Sequence, residues 1–575
     1  MFDIPELDEM VCRKLRRRDL AMCARVCKAW HRVIIPFLWR DTTLSGSYRK
    51  TLFSRVVMED YLYELRQQKA QESEHAMDQL TQPSWLSSLP ALTKYCRWIQ
   101  KASAPKDLLA CFQPSKMPLQ QRQTLLEQLG KVKDQTGYEL LRHFYKRCPV
   151  LQVESMYLST TLDLEPRLWK TMMEDVVLHV RHLHIGSNSD IHRFDVQDWR
   201  LKCLLDRLSS TLASLSVEHC ILRSNVKMNG EWDEKEDWPL LKELKLLRCY
   251  DSSGSRSLWP WLWRRCGHVE QLVVRQVDGG IVDNLVEGIA AHIPNLDKLQ
   301  LEAPDNDEYH LDDPEIGKLL SSSRKGWKVV SATISECFGP YAVETLLKHS
   351  STLEVLKLDG CLTGANQVHV LSTCPNLHTL ALMDNEIGRA ISYPISAETF
   401  IDMESESDTD SLKTWSCEKS LKVLKVMIRD IPRSDTEWAY IEEYPGQSRK
   451  IQGLVYDRLA RLTNLEVLWL GYDCSIGEDE YGSGDFQYTC LEMSLESGLR
   501  KLSGLKKLRE LNVSYMKTKI DLEEVQWMAE HWPKLEVIYG LDEKGGDEKA
   551  VTWLREHCPT IDTPEIRYEW DAWDE

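Results

Sequence analysis

The sequence predicts an α/β chain in which a small all-helical segment is followed by a long solenoid of strand–helix repeats. Parallel strands should line the concave face of that solenoid and helices its convex face. Three observations carry the prediction. A short leucine-based phrase returns along most of the chain, proline punctuates the approach to many of its copies, and the first forty residues hold apolar side chains at helical spacing.

The phrase is an apolar residue, two variable ones, then apolar-x-apolar. It runs from Leu212 to Val217, Leu241 to Leu246, Val269 to Val274, Leu296 to Leu301, Leu353 to Leu358, Leu377 to Leu382, Leu421 to Val426, Leu465 to Leu470 and Leu508 to Val513. Weaker copies start at Val180 and Leu535. Many neighbours lie 24–32 residues apart, a spacing at which one strand and one helix form a unit that cannot bury its apolar face alone. The gap between Leu301 and Leu353 calls for a degenerate copy, for which Trp327–Val330 is the candidate. The gaps after Leu382, Val426 and Leu470 call for a degenerate copy or an insertion.

The proline signature reads Cys148-Pro149, Trp238-Pro239, Ile293-Pro294, Cys374-Pro375, Trp532-Pro533 and Cys558-Pro559, each two residues ahead of an apolar position. Proline cannot continue the preceding helix and biases the residue before it toward extended backbone, so the chain should leave a helix there and enter a strand. Leu201, Leu204, Leu205 and Leu208, and Ile451, Leu454, Val455, Leu459 and Leu462, follow helical periodicity between phrases. Two runs break the pattern, near 401–416 (Ile401-Asp402-Met403-Glu404-Ser405) and near 475–487 (Gly477-Glu478-Asp479-Glu480). Both are acidic and aperiodic and read as solubilising loop insertions.

At the front, Pro5 suits a helix start, and Leu7, Met10, Val11 and Leu15 follow on one short helix. Asp19 is placed to cap a second, in which Leu20, Cys23, Ala24, Cys27 and Trp30 fall near one face. About forty residues bury too little surface to be stable alone, so these helices need either the rest of the chain or a partner. Arg16-Arg17-Arg18 reads as a solvated turn between them.

Ile4-Pro5-Glu6-Leu7, Asp19-Leu20, Cys23-Ala24-x-Val26-Cys27-x-x-Trp30 and the closing Leu38-Trp39-Arg40 stand in the order and spacing of an F-box, and residues 4–44 resemble that family. The stretch Cys12-Arg13-Lys14-Leu15 is more basic than is usual in it. The body resembles the leucine-rich repeats that F-box proteins commonly carry. The resemblance implies a substrate-recognition subunit of a Skp–cullin–F-box ubiquitin ligase. Its partners would be a Skp-family adaptor, through it a cullin, and an unidentified protein substrate. Pro5, Leu7, Met10, Leu15, Leu20, Val26, Cys27 and Trp30 would touch the adaptor or hold the helices that do. The domains read as 1–44 F-box, 45–145 helical linker with irregular first repeats, and 146–575 solenoid. The competing reading is a leucine-rich-repeat scaffold or GTPase regulator unconnected with ubiquitin.

In each phrase the intervening side chains should point to the concave face, because side chains alternate along a strand. The polar early half of that face includes His182, His184, Ser214, Ser216, Glu243 and Lys245. Farther on, Met383, Lys425, Met427, Val467, Trp469 and Asn512 form a more apolar candidate for substrate binding, with Trp469 as anchor. His179, His182, His184 and His192 lack a local set of acids or thiols to complete a coordination shell, so no metal and no cofactor is expected.

Composition narrows the classes. The 575 residues are 42% hydrophobic and 28% charged, a globular balance, and no apolar run reaches the length of a membrane span. The net charge is −17, with +5 in residues 1–50 and −22 in the remainder, which disfavours nucleic acid as a partner. The 17 cysteines are scattered without a Cys-x-x-Cys pair and read as reduced, mostly buried thiols of a cytoplasmic or nuclear protein. No phosphate-binding glycine loop, Gly-x-Ser-x-Gly or His-Glu-x-x-His occurs, so an enzyme is not expected.

Overall fold

The computed structural model describes residues 180–186, 194–195, 199–218, 220–221, 223–224 and most of 237–564; within that last span 250–255, 258, 276–278, 303–310, 334–337, 359–361, 383–393, 403–411, 432, 434–444, 472–488, 515 and 542–547 are outside the description. Before residue 180 it describes 41–42, 101–102, 155–159 and single positions between 12 and 144. Both acidic runs expected as loops fall mainly outside the described residues. The chain divides into two compact units, 1–245 with 252–258, and 246–251 with 259–575.

In the first unit, Cys12, Leu20, Met22, Cys23 and Ile34 carry helical backbone, as do Glu64, Leu140, His143 and Phe144 in the expected linker. The His143 Nδ1 lies 3.0 Å from the Glu64 carboxylate, which joins the two linker stretches. Asp41–Thr42 (β1) pairs in parallel with Lys101–Ala102 (β2). Ser155–Ser159 (β3), His182–Gly186 (β4) and Ser214–Glu218 (β5) then pair in parallel, and Trp199–Leu208 (α1) connects the last two. The expected helix at 201–208 is therefore present, and its Leu204, Leu205 and Leu208 are buried. Glu243–Leu247 (β6) is entered through backbone bonds from Lys242 and Glu243 to the Ala213 carbonyl.

The second unit repeats one plan. Its strands are Gln271–Arg275 (β7), Lys298–Glu302 (β8), Val329–Thr333 (β9), Val355–Leu358 (β10), Thr379–Ala381 (β11), Val423–Lys425 (β13), Val467–Trp469 (β15), Glu510–Asn512 (β16) and Val537–Tyr539 (β17). Each pairs in parallel with the next of these, in one unbroken register: Leu272, Leu299, Val330, Leu356, Leu380, Leu424, Leu468, Leu511 and Ile538 stand side by side. All of them are fully buried. This row is the fourth position of the phrase. Burying such a side chain contributes roughly 1.5–3 kcal/mol relative to leaving it exposed. The missing copy near Trp327 is real and forms β9. The gaps after Leu382, Val426 and Leu470 are insertions, since β11 pairs directly with β13, β13 with β15 and β15 with β16.

Helices flank this sheet: Trp259–Arg265 (α2), Gly279–His292 (α3), Asp313–Ser321 (α4), Pro340–Leu347 (α5), Gly364–Thr373 (α6), Ala397–Ile401 (α7), Pro445–Ala460 (α8), Leu522–His531 (α9) and Glu548–His557 (α10). Sequence chemistry fixes their starts. Asp312 and Glu315 form a capping box on α4, with reciprocal bonds of 2.8 and 3.0 Å, and Asp521 with Glu524 does the same on α9. Asp313 also reaches the next helix, where its carboxylate accepts from the Tyr341 and Ala342 backbone at 3.0 and 2.8 Å. One acid thus supplies acceptors that α5 lacks from its own cap, Gly339.

The helix exits correct one detail of the proline reading. Pro239, Pro294, Pro375, Pro533 and Pro559 each open a turn before the chain becomes extended; the proline does not lead straight into the strand. The residue ahead of the proline is buried in four of the five cases: Trp238, Ile293, Cys374 and Trp532. In two of these turns an asparagine follows, and its side-chain amide donates to the preceding repeat: Asn295 to the Gly267 carbonyl at 3.4 Å and Asn376 to that of Ser351 at 2.7 Å. Asn464, in the turn before β15, donates to Lys419 at 2.6 Å.

The insertions are tied to the frame by Arg458 of α8, whose side chain is fully buried. Its guanidinium donates to the carbonyls of Ile401 and Lys413, meets Glu418 at 3.4 Å and lies over the Trp415 ring at 4.5 Å. Burial pulls its pKa down to about 10, still far enough above neutrality to keep the charge. Ile395–Ser396 (β12) and Ile428–Arg429 (β14) add a small parallel pair beside α7. We expect Arg458→Met to cost about 3–5 kcal/mol, because it orphans two carbonyls and a carboxylate; a lowered urea midpoint would show it. Burial also pushes the Cys374 and Cys417 thiols up to about 12. Neither should react with iodoacetamide at pH 8 until the protein is unfolded, and mass mapping of the alkylated cysteines checks this.

Candidate protein-interaction surfaces

The front helix has two unlike sides. Leu20 and Ala24 stand one turn apart, joined by the Ala24 N–H to Leu20 carbonyl bond of 2.9 Å, and both are buried. Met22 and Val26 also stand one turn apart, and they are 61% and 66% exposed. They are two of the few large apolar side chains left open among the described residues. Of the residues expected at the adaptor, Val26 is therefore presented to solvent. Leu20, at 4% exposure, faces the chain's own interior and holds the helix. Pro5, Leu7, Met10, Leu15, Cys27 and Trp30 lie outside the described residues. Met22 was not singled out from the sequence, although its four-residue spacing to Val26 was available there.

On the sheet, the residues flanking the buried leucine row form two outward rows. The first passes through Lys298, Val329, Val355, Thr379, Val423 and Val467. The second passes through Gln300, Ser331, Lys357, Ala381, Lys425 and Trp469. The alternation expected of the phrase accounts for both rows.

Trp469 is half-buried and well held. The Lys425 ammonium lies 3.5 Å from its ring centroid, its indole N–H donates to the Glu510 carboxylate at 2.5 Å, and Tyr539 packs at a tilt 5.9 Å away. Burial, with Glu510 beside it, pushes the Tyr539 phenol up, so it stays a neutral hydroxyl. Tyr539 belongs to the weak copy that starts at Leu535 and was not singled out from the sequence. Val467 is half-buried beside Trp469.

Four residues expected on the surface are buried. Asn512 is 2% exposed, and its Oδ1 accepts from the Ser514 backbone at 2.8 Å, so its polar group is spent on the strand exit. Met427 is buried against Cys490, because the segment around 490 packs over it. Met383 lies outside the described residues. In the first unit Ser214 and Ser216 are also buried, and the Ser214 hydroxyl donates to Glu243 at 2.7 Å. The His184 Nε2 sits 3.0 Å from Glu218. Among the described residues no group of three or more His, Cys, Asp or Glu is placed to hold a metal ion. Just past its strand, the Cys249 thiol donates to the Leu247 carbonyl at 3.6 Å.

A family profile described as F-box-like matches residues 5–45. No curated protein matches the chain. The chain thus carries an F-box-like motif at its front and a repeating β–α pattern, a parallel sheet flanked by helices, behind it. For the strand face, Trp469→Ala should cost about 2 kcal/mol, since it removes a half-buried ring from under Lys425 and beside Tyr539. Trp469→Phe, which loses chiefly the bond to Glu510, should cost about 1 kcal/mol. Urea midpoints of the two variants check the order.

Proposed function

We propose that this chain is the substrate-recognition subunit of a Skp–cullin–F-box type ubiquitin ligase. The front segment docks on a Skp-family adaptor and through it on a cullin, and the strand face of the repeats holds a protein target. The chain performs no chemistry; it brings a target lysine near a recruited ubiquitin-conjugating enzyme, and the rate gain is one of proximity. Its place of action is the cytoplasm or the nucleus.

The observation that carries the reading is the coincidence of the F-box-like match with an open apolar stripe inside it. Met22 and Val26 stay exposed on a helix whose opposite side, Leu20 and Ala24, is already packed. Within a segment too small to close its own core, such exposed apolar side chains are where a docked partner would complete the burial. A protein-interaction role follows from the same match, and the ligase assembly is the specific form we assign to it.

Co-expression with a Skp-family adaptor tests it. The wild-type chain should co-purify with the adaptor at equal stoichiometry. Met22→Asp combined with Val26→Asp should abolish capture and leave the thermal midpoint within a degree or two, because both side chains are exposed. Leu20→Asp is expected to lower the midpoint instead, because it buries a carboxylate. Equal capture of the double variant and the wild type would overturn the assignment.

A further inference from the structure

The chain leaves the sheet of the second unit at a definite place. Asp562 stands in register with Val537, beside β17 on the side away from β16. Its N–H donates to the Glu536 carbonyl at 2.7 Å, and its carbonyl accepts from the Ile538 N–H at 3.0 Å. The next bond of a parallel ladder would run from the N–H of residue 564 to the Ile538 carbonyl, and residue 564 is proline, which has no N–H to give. The pairing therefore stops there. Residues 565–575 lie outside the described residues, and their sequence is distinctive. Glu565, Glu569, Asp571, Asp574 and Glu575 are acids, Tyr568, Trp570 and Trp573 are aromatic, and Arg567 is the one basic residue.

The outward rows next to this exit carry the opposite charges in the same order. Going away from Asp562, they present Glu510 on β16, Lys425 on β13 and Lys357 on β10. Val467, Val423, Thr379 and Val355 stand half-buried along one row, and Trp469 and Tyr539 along the other. The acids at the strand entries, Glu354 and Glu466, are paired with His378 at 3.9 Å and Lys422 at 3.5 Å. Glu510 and Lys425 are two strands apart, and so are Lys425 and Lys357, because β11 pairs directly with β13. Each interval is about 9.6 Å, at about 4.8 Å per strand. An extended chain advances roughly 3.3 Å per residue, so Arg567 to Asp571 spans up to about 13 Å and Asp571 to Asp574 about 10 Å. The four residues from Thr563 to Arg567 likewise cover the two strand intervals, about 9.6 Å, that separate the Asp562 bridge from β16.

We propose that residues 565–575 fold back across the strand face from β17 to β10, with Arg567 at Glu510, Asp571 at Lys425 and Asp574 at Lys357, and with Trp570 and Trp573 over the valine row. The Trp469 indole takes one oxygen of the Glu510 carboxylate, and Arg567 meets the other. The occupant is thus a segment of this same chain, matched to the face in the order of its charges. One consequence rests on the functional reading above: a target that uses this face must displace the segment, so acidic, aromatic polypeptides are the class that competes for it.

Zero-length carbodiimide cross-linking of the full-length chain, followed by mass mapping of the joined peptides, tests the placement. Asp571 should be joined to Lys425 and Asp574 to Lys357. An equal mixture of isotope-labelled and unlabelled chains separates links within one chain from links between two. Links between chains place the segment on a second copy and overturn the proposal, as does the absence of both links. Fluorescence anisotropy with a fluorescein-labelled peptide of residues 565–575 gives an independent reading. A chain shortened to end at Pro564 should bind the peptide about tenfold or more tightly than the full-length chain, whose own segment competes at high effective concentration. In the shortened chain, Lys357→Glu combined with Lys425→Glu should weaken binding about tenfold or more, and a peptide carrying Asp571→Lys and Asp574→Lys should restore it. Lys318→Glu, on the exposed side of α4, should leave binding unchanged. Equal binding by the full-length and shortened chains, or unchanged binding by the lysine variant, overturns the proposal. Adaptor capture keeps the two readings apart: the shortened chain should still co-purify with the adaptor, and the Met22→Asp, Val26→Asp chain should still show both cross-links.

Discussion

A strand and a helix of this size cannot close a core between them, and the structure of the second unit follows from that constraint. Leu299 or Leu356 has a helix on one side but needs the equivalent residue of the next strand on its flank to lose the rest of its water. The register is therefore fixed by burial. A slip of one residue would turn the whole leucine row outward and bring Lys298, Lys357 and Lys425 inward, at a desolvation cost the unit has no means to offset. Parallel pairing then leaves the outward rows no freedom to rearrange. The face therefore has a fixed spacing, set by the strand repeat, and the interior that fixes this spacing is of a different chemistry from the face itself.

Insertions are tolerated in such a frame only if they satisfy their own polar groups. The Ile401 and Lys413 carbonyls point inward, and Arg458 answers them from a helix more than forty residues away. A guanidinium suits this because it offers several donors in a plane and keeps its charge even when burial opposes it. The exposed ion pairs at the strand entries, such as Arg509 with Glu536 at 2.8 Å and Lys422 with Glu466 at 3.5 Å, are half-solvated and contribute little by comparison.

Much of this frame was legible in the sequence. The leucine phrase exposed the strands, and even the copy at Trp327 to Val330, because a period of two with large aliphatic side chains at every buried position has few other readings. A period of 3.6 gave the helix at 201–208 and, over Ile451 to Leu462, most of the one that the structure places at Pro445–Ala460. What could not be read depended on residues distant in the chain. Alternation placed Met427 and Asn512 outward, but the chain near Cys490 packs over Met427 and the Ser514 backbone claims the Asn512 amide. The role of Arg458 rests on partners at 401, 413 and 418, which no local pattern links to it. At the front, helical periodicity gathered Leu20 and Ala24 correctly on one side. It passed over Met22, because a lone methionine outside the apolar face resembles an ordinary surface residue until its exposure and its partner Val26 are known.

Met22 and Val26 stand exposed on the front helix, and the proposed role has an adaptor cover them. Hydrogen–deuterium exchange on the full chain, alone and with a Skp-family adaptor, tests this most directly. The account predicts that amides around 20–26 gain strong protection when the adaptor is added and that those of β8 to β15 do not change. Unaltered exchange at 20–26 in the presence of adaptor, or full protection there in the isolated chain, would contradict it.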